Sequence, residues 1–135
     1  MTIENFLESL PTNFRHEKSF LTNKKINDFK KLGKLSDLEI NKIQQESSLC
    51  TLNNLKKIKA IAIFKKELEI SPPVGYLLLH CGISSIESLS RLSPYEIKER
   101  IGRLERNLRT KSKTKITLSI LKKWINKANQ IYKSI

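Results

Sequence analysis

Arg100, Arg103, Arg106 and Arg109 recur at every third residue. On a helix that spacing sets neighbours about 60° apart, a slowly winding cationic stripe. Ile97, Ile101, Leu104 and Leu108 supply the opposing apolar face. A guanidinium presents its donors in a rigid fork that matches two oxygens of one phosphate, which suits arginine to oxyanion contacts. Lys111, Lys113 and Lys115 extend the stripe through a polar segment, and Lys122, Lys123 and Lys127 complete a patch. The chemistry this pattern serves is neutralisation of a polyanion. The competing reading is an ordinary solvated face, partly neutralised by Glu99 and Glu105.

The distribution of charge favours the first reading. The chain carries 26 Lys+Arg against 13 Asp+Glu, a net charge of +13. Residues 98–135 hold 12 basic and 2 acidic side chains, whereas residues 1–97 hold 14 and 11. Five of the six arginines lie between Arg91 and Arg109. AT-rich codon usage would explain a diffuse excess of lysine, but not clustering and not the arginines. An asymmetry of this kind is the electrostatic footprint of a polyanion-binding surface. A second lysine group, Lys56, Lys57, Lys59, Lys65 and Lys66, is balanced by Glu67 and Glu69 and reads as helix surface.

The residue types needed for catalysis do not form a constellation. His16 and His80 are the only histidines, and neither has metal-ligand or triad spacing. His80 precedes Cys81, but adjacent residues on a helix point about 100° apart, so the pair does not face itself. Phosphate-cradling glycine loops are absent. The expectation is a non-enzymatic protein with no metal and no cofactor. Cys50 and Cys81 stand far apart, which fits two half-buried free thiols in a reducing, cytoplasmic setting. No apolar run approaches the roughly 20 residues that span a bilayer. The stretch Met1 to Leu10 has no basic region of the secretory kind. The phenylalanines, Phe6, Phe14, Phe20, Phe29 and Phe64, fall at apolar helix positions and read as core, which argues against base stacking on an aromatic platform.

These residues need helices to position them. Apolar residues recur at three and four, and the chain of 135 residues has only four Gly and four Pro, so an all-α fold is expected. Start signals punctuate it: capping boxes at Ser36–Glu39, Ser84–Glu87 and Ser93–Glu96, and a Ser71-Pro72 start. Phe20–Ile40 aligns without gaps onto Leu77–Ile97 at an offset of 57, with seven identities in 21 pairs. The identities fall on apolar positions and on the capping box. A weaker copy, Ile43, Leu49, Leu52, Leu55 and Ile58, follows the same rhythm. One domain of tandem helix–turn–helix units is expected over residues 1–135. Its parts are a first unit at about 14–40, a degenerate middle unit at 41–70, a second clear unit at 71–108, a basic linker at 109–116 and a helix at 117–133. In the second unit a helix ends near Cys81, Gly82 supplies a positive φ, Ile83 plugs the core, and a short helix runs from Ser85 to Arg91. Leu92 is then buried, and a longer helix runs from Pro94 to about Leu108. The last helix carries Leu118, Leu121, Ile125, Ala128 and Ile131 or Tyr132 inward, with Trp124 at the border of that stripe.

The stretch from Leu77 to Ile97 resembles the hairpin of helix-hairpin-helix domains and is similar in rhythm to the C-terminal domain of the RNA polymerase alpha subunit. Over most of its length the chain resembles a cyanobacterial family within the domain of unknown function 4332. The residues that carry this likeness are Leu10-Pro11, Phe14 to Glu17, the hairpin, Gly102-Arg103-Leu104 and Trp124-Ile125. The helix-hairpin-helix likeness implies DNA binding without sequence preference, with Gly82, Ile83 and Ser84 offering hairpin amides to phosphate. This chain departs from the paired-glycine hairpin of those domains, with Lys25 in place of glycine in the first unit and Ser48 in the middle one. The expected partner is nucleic acid, DNA or RNA, held at Arg100, Arg103, Arg106, Arg109, Lys111, Lys113, Lys115, Lys122 and Lys123. The alternative is a protein–protein adaptor that docks an acidic partner on the same surface. A membrane-surface role for the last helix is a third and weaker reading, so no membrane partner is expected.

Overall fold

A computed structural model describes residues 6–108 and 116–133. Among these residues there are two 3₁₀ turns, Phe6–Ser9 and Thr12–Phe14, and eight helices, with no strand. The helices are α1 (Arg15–Asn23), α2 (Phe29–Gly33), α3 (Asp37–Glu46), α4 (Leu52–Leu68), α5 (Pro72–His80), α6 (Ile86–Ser90), α7 (Pro94–Leu108) and α8 (Leu118–Lys133). The fold is all-α, as the apolar spacing requires. Two compact units can be distinguished, residues 1–76 and 77–135, with the division inside α5.

In the first unit α2 and α3 pack on α4. Leu32, Ile40, Leu55, Ile58, Ile61 and Phe64 are buried there, each worth about 1.5–3 kcal/mol against exposure. Phe6 and Phe14 join that core, whereas Phe20 and Phe29 are only partly buried. Those two rings instead lie under ammonium groups, with Lys24 Nζ 5.7 Å and Lys65 Nζ 5.3 Å from the ring centres. In the second unit α8 packs on α6 and α7. Leu89, Ile97, Ile101, Leu121, Ile125 and Ala128 form its interior. Ile131 is partly buried and Tyr132 is 45% exposed, so Ile131 continues the α8 stripe.

The matched segments share helix bounds and two of their capping boxes. Each bound of α1 and α2 lies 57 residues before the corresponding bound of α5 and α6, and α3 and α7 start 57 residues apart. The boxes at Ser36–Glu39 and Ser93–Glu96 form as expected. Glu39 and Glu96 N–H donate to the Ser36 and Ser93 hydroxyls at 3.2 and 3.1 Å. The serine N–H groups donate back to the glutamates at 3.1 and 3.3 Å.

Three expectations are corrected. The box assigned to Ser84–Glu87 sits one residue later, at Ser85 and Ser88, because Ser85 is the extended residue and the Ser88 hydroxyl supplies the return bond. Glu87 is thereby released to bond Arg91 at 2.6 Å. Leu92 is partly exposed, unlike its counterpart Leu35 at 8%. Over residues 41–70 α3 leads through a turn at 47–51 into α4, but the short second helix of the clear unit does not form as a separate element. Thr51 caps α4 by accepting from Asn54 N–H at 3.1 Å, and with no Gly or Pro from Leu52 to Leu68 the helix runs unbroken for 17 residues. Leu49, which should have taken the place of Ile83, is 62% exposed.

Candidate anion-binding surface

The turn between α5 and α6 fixes the site. Gly82 has φ +83°, and its N–H donates to the Leu79 carbonyl at 3.0 Å. The Ile83 N–H donates to the Leu78 carbonyl at 2.9 Å. This pair of bonds is a Schellman closure of α5, with Ile83 and Leu78 both buried behind it. The Gly82 and Ile83 amides are therefore consumed by the helix end. They do not point at a ligand, so neither of these two supplies the hairpin-amide grip implied by the helix-hairpin-helix likeness. Ser84 is exposed beside them.

Side chains take over where the amides are spent. Arg100 on α7 is partly buried, and its Nη1 donates to the Cys81 carbonyl at 3.3 Å, one of the carbonyls that a helix end leaves unpaired. That bond uses one of five guanidinium donors. Arg103, one turn on, pairs with Glu99 at 3.3 Å and keeps 62% of its side chain exposed. Arg100, Arg103, Leu104, His80 and Cys81 line one open recess of about 500 Å³. The structure thus brings together two of the predicted arginines, and adds His80 and Cys81, which enter as wall rather than as a nucleophile pair. Burial pushes the Cys81 thiol above its ordinary value, and Glu105 adds to this, against the pull of the Arg100 guanidinium. The thiol is accordingly neutral near pH 7.

The other predicted residues are placed differently. Arg106 is exposed and lies back along α7, its Nη1 coming within 3.5 Å of where a side chain on Gly102 would begin. Lys122 and Lys123 are exposed on α8 and are not part of the recess wall. Arg109, Lys111, Lys113 and Lys115 lie outside the described residues.

Three residues went unnoticed in the sequence. Tyr95, in the first turn of α7, is 67% exposed, and Leu38, its counterpart 57 residues earlier, is 82% exposed. Their place just inside a capping box was the available signal, since that position faces away from the core stripe. Glu17 is buried at 1% exposure. It accepts from Thr51 N–H at 2.9 Å and from Asn54 Nδ2 at 3.3 Å, so a carboxylate on α1 sits over the positive end of α4. Cys50 lies next to this contact and is fully buried rather than half-buried; burial raises its thiol, with a lowering bond from Ser47 and a smaller raising effect of Glu17.

Among the described residues no group of three or more His, Cys, Asp or Glu is placed to hold a metal ion. No described helix is long and apolar enough to cross a membrane. No curated protein and no solved structure matches the chain. A family model does match, over residues 11–131, and its reach includes both units, the recess and most of α8. The chain belongs to the family described as domain of unknown function 4332.

Proposed function

We propose that the chain is a non-enzymatic, cytoplasmic protein that binds nucleic acid, DNA or RNA, through phosphate contacts made by the basic face of its second unit. The observation that carries this is the convergence of Arg100 and Arg103 on one open recess, with no acidic side chain in its wall. Arg106 and Lys98 on α7 are exposed nearby along the same helix. Lys122 and Lys123 add charge from α8, and Arg109, Lys111, Lys113 and Lys115 add it by sequence. Phosphate contact of this kind is tolerant of base sequence, which agrees with a helix-hairpin-helix-like ancestry for the matched segments.

Fluorescence anisotropy of labelled duplex DNA, single-stranded DNA and structured RNA, followed over a range of salt, tests the proposal. Micromolar or tighter binding near physiological salt, with log K falling steeply against log salt, is the expected result. Weak attraction confined to low salt would remove it. A second reading has its own observation. Tyr95 and Leu38 are large apolar side chains standing in solvent beside charged neighbours, which suits an adaptor docking an acidic protein. Nuclease-resistant capture of one stoichiometric acidic protein would favour that reading.

A further inference from the structure

The recess in the second unit has a counterpart in the first, at matched positions. There Lys24, Ile43 and Glu46 stand where Cys81, Arg100 and Arg103 stand 57 residues later. The first recess, about 280 Å³, is closed electrically: Lys24 Nζ reaches Glu46 Oε2 at 3.8 Å across it. Its charged wall contains two basic and two acidic side chains. Ile43, 7% exposed, fills the floor with hydrocarbon. In the second recess each of these three features is undone. A thiol replaces the ammonium, so the pair that Lys24 makes with Glu46 has no equivalent at the matched positions. A guanidinium replaces the carboxylate, and another replaces the isoleucine. The volume rises to about 500 Å³, and the charged side chains of the wall are two arginines. Glu99 engages Arg103 from outside the wall, and Glu105 is the acidic group whose field reaches Cys81.

One local backbone thus carries a neutral, self-paired recess in one unit and, in the other, a recess with two guanidinium groups at the matched positions. The Cys81 carbonyl gives Arg100 one local use, but packing does not call for a second guanidinium at Arg103, which keeps 62% of its side chain exposed. Two cations placed on one concavity repel each other, and the backbone demonstrably accepts an apolar residue and an ion pair there. A bound oxyanion would offset that repulsion, and the spare donors of Arg100 and Arg103 suit its tetrahedral edges. We propose that the recess formed by His80, Cys81, Arg100, Arg103 and Leu104 is a discrete site for one phosphate group, and that its counterpart at Lys24, Ile43 and Glu46 is not. This rests on the nucleic-acid reading for the source of the phosphate, a backbone diester. A free phosphate ion has the same chemistry and is separated from it by the test.

Cys81 is a reporter built into the wall, and Cys50 is buried at 1% exposure. The experiment follows alkylation of Cys81 by iodoacetamide, read by mass spectrometry, with duplex DNA, with orthophosphate and with chloride at matched ionic strength. At about nine-tenths occupancy the duplex is expected to slow alkylation about tenfold, by mass action. Orthophosphate should slow it at millimolar concentration, and chloride should not. Arg103→Gln, at an exposed position, should lose the protection, whereas Lys56→Glu should keep it. A stronger variant rebuilds the first recess in the second with Cys81→Lys, Arg100→Ile and Arg103→Glu. It lowers the net charge by two, as Lys56→Glu does. Its duplex affinity by anisotropy should fall about tenfold or more, against about twofold or less for Lys56→Glu.

Duplex binding with an unchanged Cys81 rate would overturn the site and leave the nucleic-acid reading standing. Protection by orthophosphate without duplex binding would keep the site and end the nucleic-acid reading. Equal affinity losses in the two charge-matched variants, or full protection in Arg103→Gln, would overturn the site.

Discussion

Lys25 shows how a backbone demand can outlast the residue best suited to it. It adopts φ +59°, where its counterpart Gly82 has +83°, and the same two cap bonds close the helix, Lys25 N–H to Thr22 and Ile26 N–H to Leu21. A side chain in this conformation costs about 1–2 kcal/mol, partly offset by the smaller chain entropy of lysine when unfolded. Lys25→Gly should therefore stabilise the protein by about 0.5–1 kcal/mol, read as a shift in urea midpoint at constant slope. Gly82→Ala should cost about 1 kcal/mol. A β-carbon at Gly82 meets only Arg100 Nη1, at 3.9 Å, so that cost is conformational and not steric. Glu17 is the opposite case, a residue whose partners lie far along the chain. Glu17→Ala leaves the Thr51 N–H unpaired at the start of α4 and should destabilise by about 2 kcal/mol. The thiols set a pH dependence. Their folded pKa values are raised, so the neutral form favours the fold; that contribution is complete below the unfolded thiol pKa and is lost as pH rises through the folded value. Stability should thus fall on the alkaline side of the ordinary thiol range. Iodoacetamide should label Cys81 at higher pH than it labels a free cysteine peptide, and label Cys50 only when the chain unfolds.

Helix starts and ends were the most legible part of the fold, because they are set by a few residues acting locally. The Ser36 and Ser93 boxes, the Gly82 end of α5, and the start of α8 at Thr117 all follow from residues within four positions of the boundary. What escaped the sequence is what depends on distant partners. The rhythm of Leu52, Leu55 and Ile58 matches the short second helix of the clear unit, yet α4 runs on past it without a break, held from outside by Glu17 and by α2 and α3. Two of the four stripe arginines meet in a recess whose other wall, His80 and Cys81, comes from 19 and more residues earlier, and no spacing rule joins them. The helix that holds α7 in place is α8. Leu121 is fully buried on it, so Leu121→Ala should cost about 2–5 kcal/mol. Native-state hydrogen exchange should show this destabilisation as faster exchange of α6, α7 and α8 amides, the cooperative set that α8 closes.

Charge is divided unevenly between the two units. Residues 1–76 carry 13 basic and 9 acidic side chains, and residues 77–135 carry 13 and 4, so a net +4 stands against +9 in the shorter segment. If the excess were only a product of composition, every exposed lysine would contribute alike to polyanion binding, because non-specific attraction follows total charge. A surface that grips phosphates behaves otherwise: each cation that neutralises a phosphate releases counterions, and the slope of log K against log salt falls by about 0.9 for each duplex phosphate no longer neutralised. Two charge-matched variants separate the cases. Arg106→Gln with Lys122→Gln and Lys123→Gln removes three positive charges from the second unit. Lys30→Gln with Lys31→Gln and Lys56→Gln removes three from exposed positions in the first. The expected outcome is a slope lower by up to about 2.7 in the first variant, the full value applying if all three cations neutralise a phosphate, and a slope close to that of the unaltered protein in the second. Equal slopes in the two variants would mean that the whole molecule acts as a diffuse cation. The recess at Arg100 and Arg103 would then be one basic feature among many, and the uneven division of charge would carry no functional weight.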